Sequence, residues 1–231
     1  MAKIVFYLAT DKEHASDALT TALAFPHSQF AQTHSLCCSI MQPRAEDILA
    51  IPADSEFLRN LSIVLEIISP AGSPIQPWLN ELPAILKPLL ACVNPDQSSL
   101  LVATPRTLQD TGSKQQRYHY LMARAKHFSP SDYLDYYMNS HYRFGVVTPL
   151  ANYIQNYVDA PTTTALASRL GMQAITFDNF SELQFDDINA YLQCDAILEA
   201  GPAASRDEAL FVDRKQCQSF SMDVVFDSRV S

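Results

Sequence analysis

Residues 117–145 read "RYHYLMARAKHFSPSDYLDYYMNSHYRFG", and the way this stretch folds decides how the rest of the chain is arranged. Its first nine residues have the apolar and aromatic content of a strand. Ser129 before Pro130 then forms a helix start, a hydroxyl cap followed by proline at the first helical position. The helix carries Tyr133, Tyr136 and Tyr137 at spacings of three and four and is expected to end on His141, so Tyr137 lies one turn below the histidine.

Working outward, apolar periodicity predicts further strands at 151–159, 172–179 and 217–227, with helices near 162–169 and from about Ser181 to Leu192. The first half predicts the same order. Strands are expected at 3–10, 34–42, 61–69 and 98–105, with a helix near 13–25. A second helical pattern over 73–90 holds prolines at 74, 77, 83 and 88 and so must start late, kink or break. Residues 107–116 have the polar, turn-rich composition of a linker.

The two halves echo each other. "FYLATDKEHASDALTTALAFPHSQF" (6–30) lies over "HYLMARAKHFSPSDYLDYYMNSHYRF" (119–144), with Tyr7 on Tyr120 and His27 on His141. The fold class expected is α+β, with tandem βαββαβ repeats over 1–110 and 114–231 whose four-stranded antiparallel sheets cover each other's apolar faces.

Several side chains are candidates for chemistry. His141 has two readings, a general base or a helix-end histidine that bonds a last carbonyl. In strand 117–125 the alternation predicts Tyr118, Tyr120, Met122 and Arg124 toward the barrel interior, with Leu121 and Ala123 under the helices. Arg124 is then a cation for an enolate or carboxylate, or a solvated strand end. Tyr137 supplements the histidine or packs on the sheet. Asn156 alternates with Asn152 and Ile154 and either orients a substrate or ties a loop. Glu66, in the apolar "LSIVLEIIS", is a second base candidate if unpaired.

The second half resembles the EthD family of dimeric α+β-barrel proteins through "LMARAKHFSPSDYLDYYMNSHYRF", "NYIQNYVD", "GMQAITFDNFSEL" and "ALFVDRKQCQSFSMDVV". The first half is similar only as a degenerate copy without the helix aromatics. The resemblance marks Arg124, His141, Tyr153, Gln155 and Asn156 as family positions. It implies tandem ferredoxin-like βαββαβ repeats whose sheets close face to face into an intramolecular α+β barrel, with a hydrophobic, often aromatic, molecule taken between helix and sheet. Ala174 stands where the family often has an acid, and Glu66 of the other repeat is the nearest substitute in kind.

The expectation is therefore a small-molecule enzyme of lyase or isomerase type, cyclase-like, without an organic cofactor. His141, Arg124, Tyr137 and Asn156 would be catalytic, and Tyr118, Tyr120, Met122, Tyr153, Ile154 and Glu66 would bind an aromatic or polyketide-like substrate. Two other classes stand beside it. One is a haem- or oxygen-dependent oxidoreductase with His141 or His119 as ligand, and the other is a non-catalytic binding protein.

The net charge of −9 argues against nucleic acid and anionic membranes as partners. A homodimer is compatible with the internal pseudo-dimer. The five cysteines form no CxxC, no HExxH or paired-cysteine metal pattern occurs, and no phosphate-binding glycine loop is present. The N-terminus lacks a small-residue cleavage site, so a cytoplasmic location is expected.

Overall fold

A computed structural model describes residues 1–11, 13–44, 60–71, 79–175 and 177–229. The first repeat contains β1 (Lys3–Ala9), α1 (Ala15–Ala24), α2 (Gln29–Thr33), β2 (Cys37–Pro43) and β3 (Leu61–Ile68). It is completed by two one-turn helices, α3 (Leu82–Ile85) and α4 (Lys87–Leu90), and by β4 (Ser99–Gln109). The second repeat contains β5 (Gln116–Met122), α5 (Pro130–Asn139), β6 (Ala151–Val158), α6 (Ala160–Leu170) and β7 (Gln173–Ala174). It continues through β8 (Asn179–Phe185), α7 (Ile188–Leu192), α8 (Asp195–Phe211) and β9 (Gln218–Asp227).

Within each repeat the strands lie in the order fourth, first, third, second: β4-β1-β3-β2 and β9-β5-β8-β6. Antiparallel pairing of β2 with β9 and of β4 with β6 closes these two sheets into an eight-stranded barrel, while β7 adds a short parallel pair to β4. The last strand of each repeat does this joining. β4 pairs β1 over Ser99–Ala103 and then β6 over Ala103–Gln109. β9 likewise pairs β5 through its first half and β2 through its second. This crossover is why residues 107–109, predicted as linker, are strand: their backbone bonds are completed by the other repeat.

Strand alternation sorts the side chains into three apolar layers. Ile4, Phe6, Leu8, Ile63, Leu65 and Ile67 face outward under α1, α2, α3, α4 and α6. Val5, Tyr7, Val64, Leu101, Leu121, Phe180 and Phe220 fill the barrel interior. Tyr118, Tyr120, Met122, Tyr133, Tyr137 and Phe211 form the layer between the second sheet and α5 and α8. Strands covered on both faces need apolar residues at successive positions, which explains the continuous "KIVFYLA" of β1, buried throughout.

Ser129 caps α5 as expected, its hydroxyl accepting the Asp132 N–H at 3.1 Å. The helix stops at Asn139, two residues early, and His141 opens a 3-10 turn over His141–Phe144. His27 sits in the matching 3-10 turn after α1, over Phe25–His27. Pro83 and Pro88 each open a four-residue helix instead of sharing a long one. The part of that pattern over 73–78, with prolines 74 and 77, lies outside the described residues.

Two predictions in the second half fail. The strand expected at 172–179 is only the two-residue β7, and the helix expected from Ser181 begins as strand β8. Glu182 and Gln184 have interior partners while Ser181, Leu183 and Phe185 face the helices, a period of two that the polar content disguised. Helix α8, seventeen residues long, was not predicted at all. Its Gly201-Pro202 pair is a turn signal in sequence, yet Pro202 is tolerated inside the helix. No described helix is long and apolar enough to cross a membrane.

Candidate functional site

His141 is held by the unpredicted helix. Its Nδ1 lies 2.8 Å from Oδ2 of Asp207 on α8, and the two side chains are 13% and 10% exposed. An ionised carboxylate can only accept, so Nδ1 carries the proton and the lone pair falls on Nε2. Among the described residues none hydrogen-bonds that Nε2. The other oxygen of Asp207 accepts the Tyr136 phenol at 2.8 Å and lies 3.5 Å from Nη2 of Arg143. The bond to Asp207, with some burial, raises the Tyr136 pKa and keeps that phenol a donor.

Aromatic rings fix the imidazole plane. Phe211 lies at a centroid distance of 4.9 Å, Phe144 at 5.5 Å and Tyr137 at 6.3 Å, the last nearly parallel at 24°. Tyr137 therefore shares the His141 face as its spacing predicted. Its phenol points the other way, toward the sheet, reaching Ser181 at 2.7 Å and the Tyr153 phenol at 3.4 Å. Burial holds the Tyr137 phenol well above its ordinary pKa, so it serves as a neutral packing and hydrogen-bonding group.

The predicted orientation of β5 is inverted. Tyr118, Tyr120 and Met122 lie under α5 and α8, while Arg117, His119 and Leu121 enter the barrel. Tyr120 donates to Glu208 at 2.7 Å. The reason is electrostatic: the interior already holds Glu66 and Glu182, and the Arg117 guanidinium of β5 must face them. Small residues suited to packing under helices were a weaker constraint than pairing these charges.

That interior network joins the two repeats. Lys3 Nζ is 3.2 Å from Glu66 Oε1 and also bonds Glu182. Arg117 reaches Glu66 at 2.6 Å and Glu182 at 3.3 Å, and its other terminal nitrogen bonds Asp227. The Tyr7 phenol and His119 Nδ1 are 3.0 Å apart, and His119 Nε2 faces Glu66 at 3.4 Å, longer than a good hydrogen bond. Burial alone would raise the Glu66 carboxyl. The Lys3 ammonium, the His119 contact and the Arg117 guanidinium outweigh it and hold the pKa well below the ordinary range. Glu182 is lowered as well, despite burial and the repulsion of Glu66. Glu66 is thus a paired barrel-interior anion and not a free base.

Asn156 also faces the interior, its amide 3.4–3.5 Å from the Ile154 and Phe180 carbonyls. The sheet separates it from His141, because Tyr153 and Gln155 of the same strand are the residues that reach Tyr137. Ile154 lines a cavity at one end of the barrel. Arg124 is committed to Asp178, which bonds both its guanidinium and, at 2.9 Å, its backbone N–H. Of the residues predicted as catalytic, only His141 and Tyr137 come together. Asp207 and Tyr136 complete the group, and Asp207 was missed because α8 was missed.

No protein-family model matches the sequence, and no curated protein matches it. Solved structures do match. A monooxygenase-like protein from Lactobacillus acidophilus superposes with a TM-score of 0.56 at 7% identity, covering 98% of this chain and 94% of its own. An anthrone oxidase-like protein gives 0.60 at 11%, covering 98% and 91%. A chlorite dismutase-like protein gives 0.54 at 10%, covering 97% and 94%. What these structures share with this chain is the fold, an α+β barrel closed by eight antiparallel strands. At such identities the likeness concerns the fold, and chemistry must come from the side chains.

Within this α+β barrel a haem at His141 or at His119 would meet packed side chains. The layer beside His141 is filled by Tyr133, Tyr137 and Phe211, all fully buried, and a macrocycle would have to displace them. His119 is enclosed by Tyr7, Phe180 and Phe220 at centroid distances of 4.9–6.0 Å. A metal is the other group to test. Glu66, His119 and Glu182 present donor atoms within 4.8 Å of one another. Lys3 already bridges both carboxylates and Arg117 binds them again, so the cation position is filled by a side chain.

Proposed function

We propose that this α+β-barrel protein is an EthD-like proton-transfer enzyme acting on a hydrophobic, aromatic or polyketide-like small molecule. The carrying observation is the His141–Asp207 pair, with a protonated Nδ1 and Nε2 left to a reactant. Nε2 removes a proton from a carbon or phenol beside a carbonyl and returns it to the product; Asp207 fixes the tautomer and stabilises the imidazolium. The oxyanion role moves from Arg124 to Arg143. Arg143 sits on the His141 turn with its side chain 62% exposed, whereas Arg124 is tied to Asp178. Rings of Phe144, Tyr137 and Phe211 around the imidazole favour an apolar substrate.

Cyclisation, dehydration, decarboxylation and isomerisation all use this step. The same deprotonation also opens oxidation of a carbon acid, and two of the fold neighbours are named a monooxygenase-like and an anthrone oxidase-like protein. Deuterium exchange into C10 of anthrone and into acetylacetone, followed by proton NMR in D2O, tests the step directly. Both are expected to exchange faster with protein, and His141→Ala should lower the gain by on the order of 10²–10⁴ without moving the melting temperature. An unchanged exchange rate in that variant would overturn the assignment.

A further inference from the structure

The barrel mouth opposite the His141 face holds a cavity of about 230 Å³. At ~30 Å³ per liquid water this equals about seven or eight waters, the size of a small organic acid. It is bounded by the end of β4, the turn at Asp110–Lys114, the interior faces of β6 and β8, and Arg229 beyond β9.

The hydrogen-bonding groups of its wall are unevenly spent. The Asn152 amide donates to the Gly112 carbonyl and to Gln184 and accepts from Thr111, so both its ends are used. The Gln184 amide nitrogen is bound to Glu182. Asp227 is bonded by two guanidiniums, Arg117 and Arg229. Arg229 uses Nε and Nη2 on Asp227 and Ser39, and among the described residues Nη1 has no partner. Lys114 pairs with Asp186, whose side chain is 67% exposed; a bond that solvent competes for holds it weakly. The Gln109 amide nitrogen is spent on the Thr148 and Ala151 carbonyls, and the Thr107 and Ser113 hydroxyls also line the wall. Asp110 is the one acidic side chain there besides Asp227, and it accepts from the Gly112 N–H at 2.9 Å.

We propose that this mouth is a binding site for a small organic carboxylate, separate from the His141 site. Arg229 keeps an Nη1 unpartnered among the described residues, Lys114 is held by one exposed carboxylate, and the Thr107 and Ser113 hydroxyls can donate, a set that fits an oxyanion. The apolar face of Ile154 fits a short carbon chain rather than inorganic phosphate. Asn152 and Ile154 alternate with Tyr153, so the carboxylate would sit across the sheet from the proton-transfer layer.

The test is titration of the full chain with succinate, read by the side-chain Nε–H resonance of Arg229 in 15N-labelled protein and by calorimetry. Succinate should saturate the site; 1,4-butanediol, of similar length without charge, should not, and inorganic phosphate should bind more weakly. Arg229→Gln should weaken succinate about tenfold or more, the loss of a charge-assisted bond. Ser113→Trp, on the exposed turn, should block the mouth with an unchanged melting temperature. Absence of saturation by succinate, equal binding of the diol or of phosphate, or full affinity in both variants would each overturn the proposal. Deuterium exchange by His141 is a separate readout, so failure here leaves that reading standing.

Discussion

His141 Nδ1 and Asp207 Oδ2 meet at 2.8 Å although 66 residues separate them in sequence. The contact joins the turn after one helix to the last turns of another that crosses the same sheet. It converts an ordinary helix-end histidine into an oriented base, because the carboxylate fixes which nitrogen carries the proton. The competing reading, a histidine that bonds a last carbonyl of its own helix, has no counterpart at Nδ1.

Asp207→Asn tests that conversion. The amide can present its nitrogen to Nδ1 and favour the wrong tautomer, so anthrone exchange should fall by on the order of 10² or more with little change in melting temperature. Tyr136→Phe removes only the second bond to Asp207 and should cost far less. A loss in Asp207→Asn no larger than in Tyr136→Phe would count against an orienting carboxylate.

The barrel interior makes a different prediction, about stability. Removing one member of a buried ion network strands its partners without solvent, at a cost of about 3–5 kcal/mol. Glu66→Ala should show this in urea unfolding, since Lys3, Arg117 and His119 all face that carboxylate. Adding Lys3→Met should recover part of the loss, because one stranded charge goes with it. Two losses that simply add would show that these residues do not act as a unit.

The fold was more legible than the site. Long apolar strands and the Ser129-Pro130 cap are local signals, and the echo between 6–30 and 119–144 gave the two repeats whose strand orders match. The orientation of β5 was not local. Tyr118 and His119 suit either face of a strand, and only Glu66 and Glu182, from other strands, decide that Arg117 and His119 turn inward. Asp207 was hidden by the Gly201-Pro202 pair, and β8 by its polar interior residues, which are buried because they meet charges across the barrel.

The same network fixes a pH dependence. Glu66, Glu182 and Asp227 all have carboxyl pKa values lowered in the folded protein. Their contribution is therefore present above the unfolded carboxylate values, about 4. It is lost as pH falls below that value and through the lower folded ones. Urea midpoints should be nearly flat from about pH 7 to 5 and then drop steeply. The Lys3→Met/Glu66→Gln double variant should show a shallower acid limb. An acid limb identical to that of the wild-type chain would show that the loss arises elsewhere.

Gly145 supplies the last prediction. It follows the His141 turn, and a Cβ built there would overlap the Tyr153 ring, so the close approach rather than backbone conformation requires glycine. Tyr153 in turn meets the Tyr137 phenol, and the Tyr137 ring stacks on His141. Gly145→Ala must push this column of rings, an overpacking expected to cost about 1–3 kcal/mol. Activity should fall as well, because the ring that sets the imidazole plane moves. Gly145→Ala combined with Tyr153→Leu removes the overlap and should restore stability. Failure of the second substitution to recover any of it would place the strain somewhere other than the Tyr153 ring.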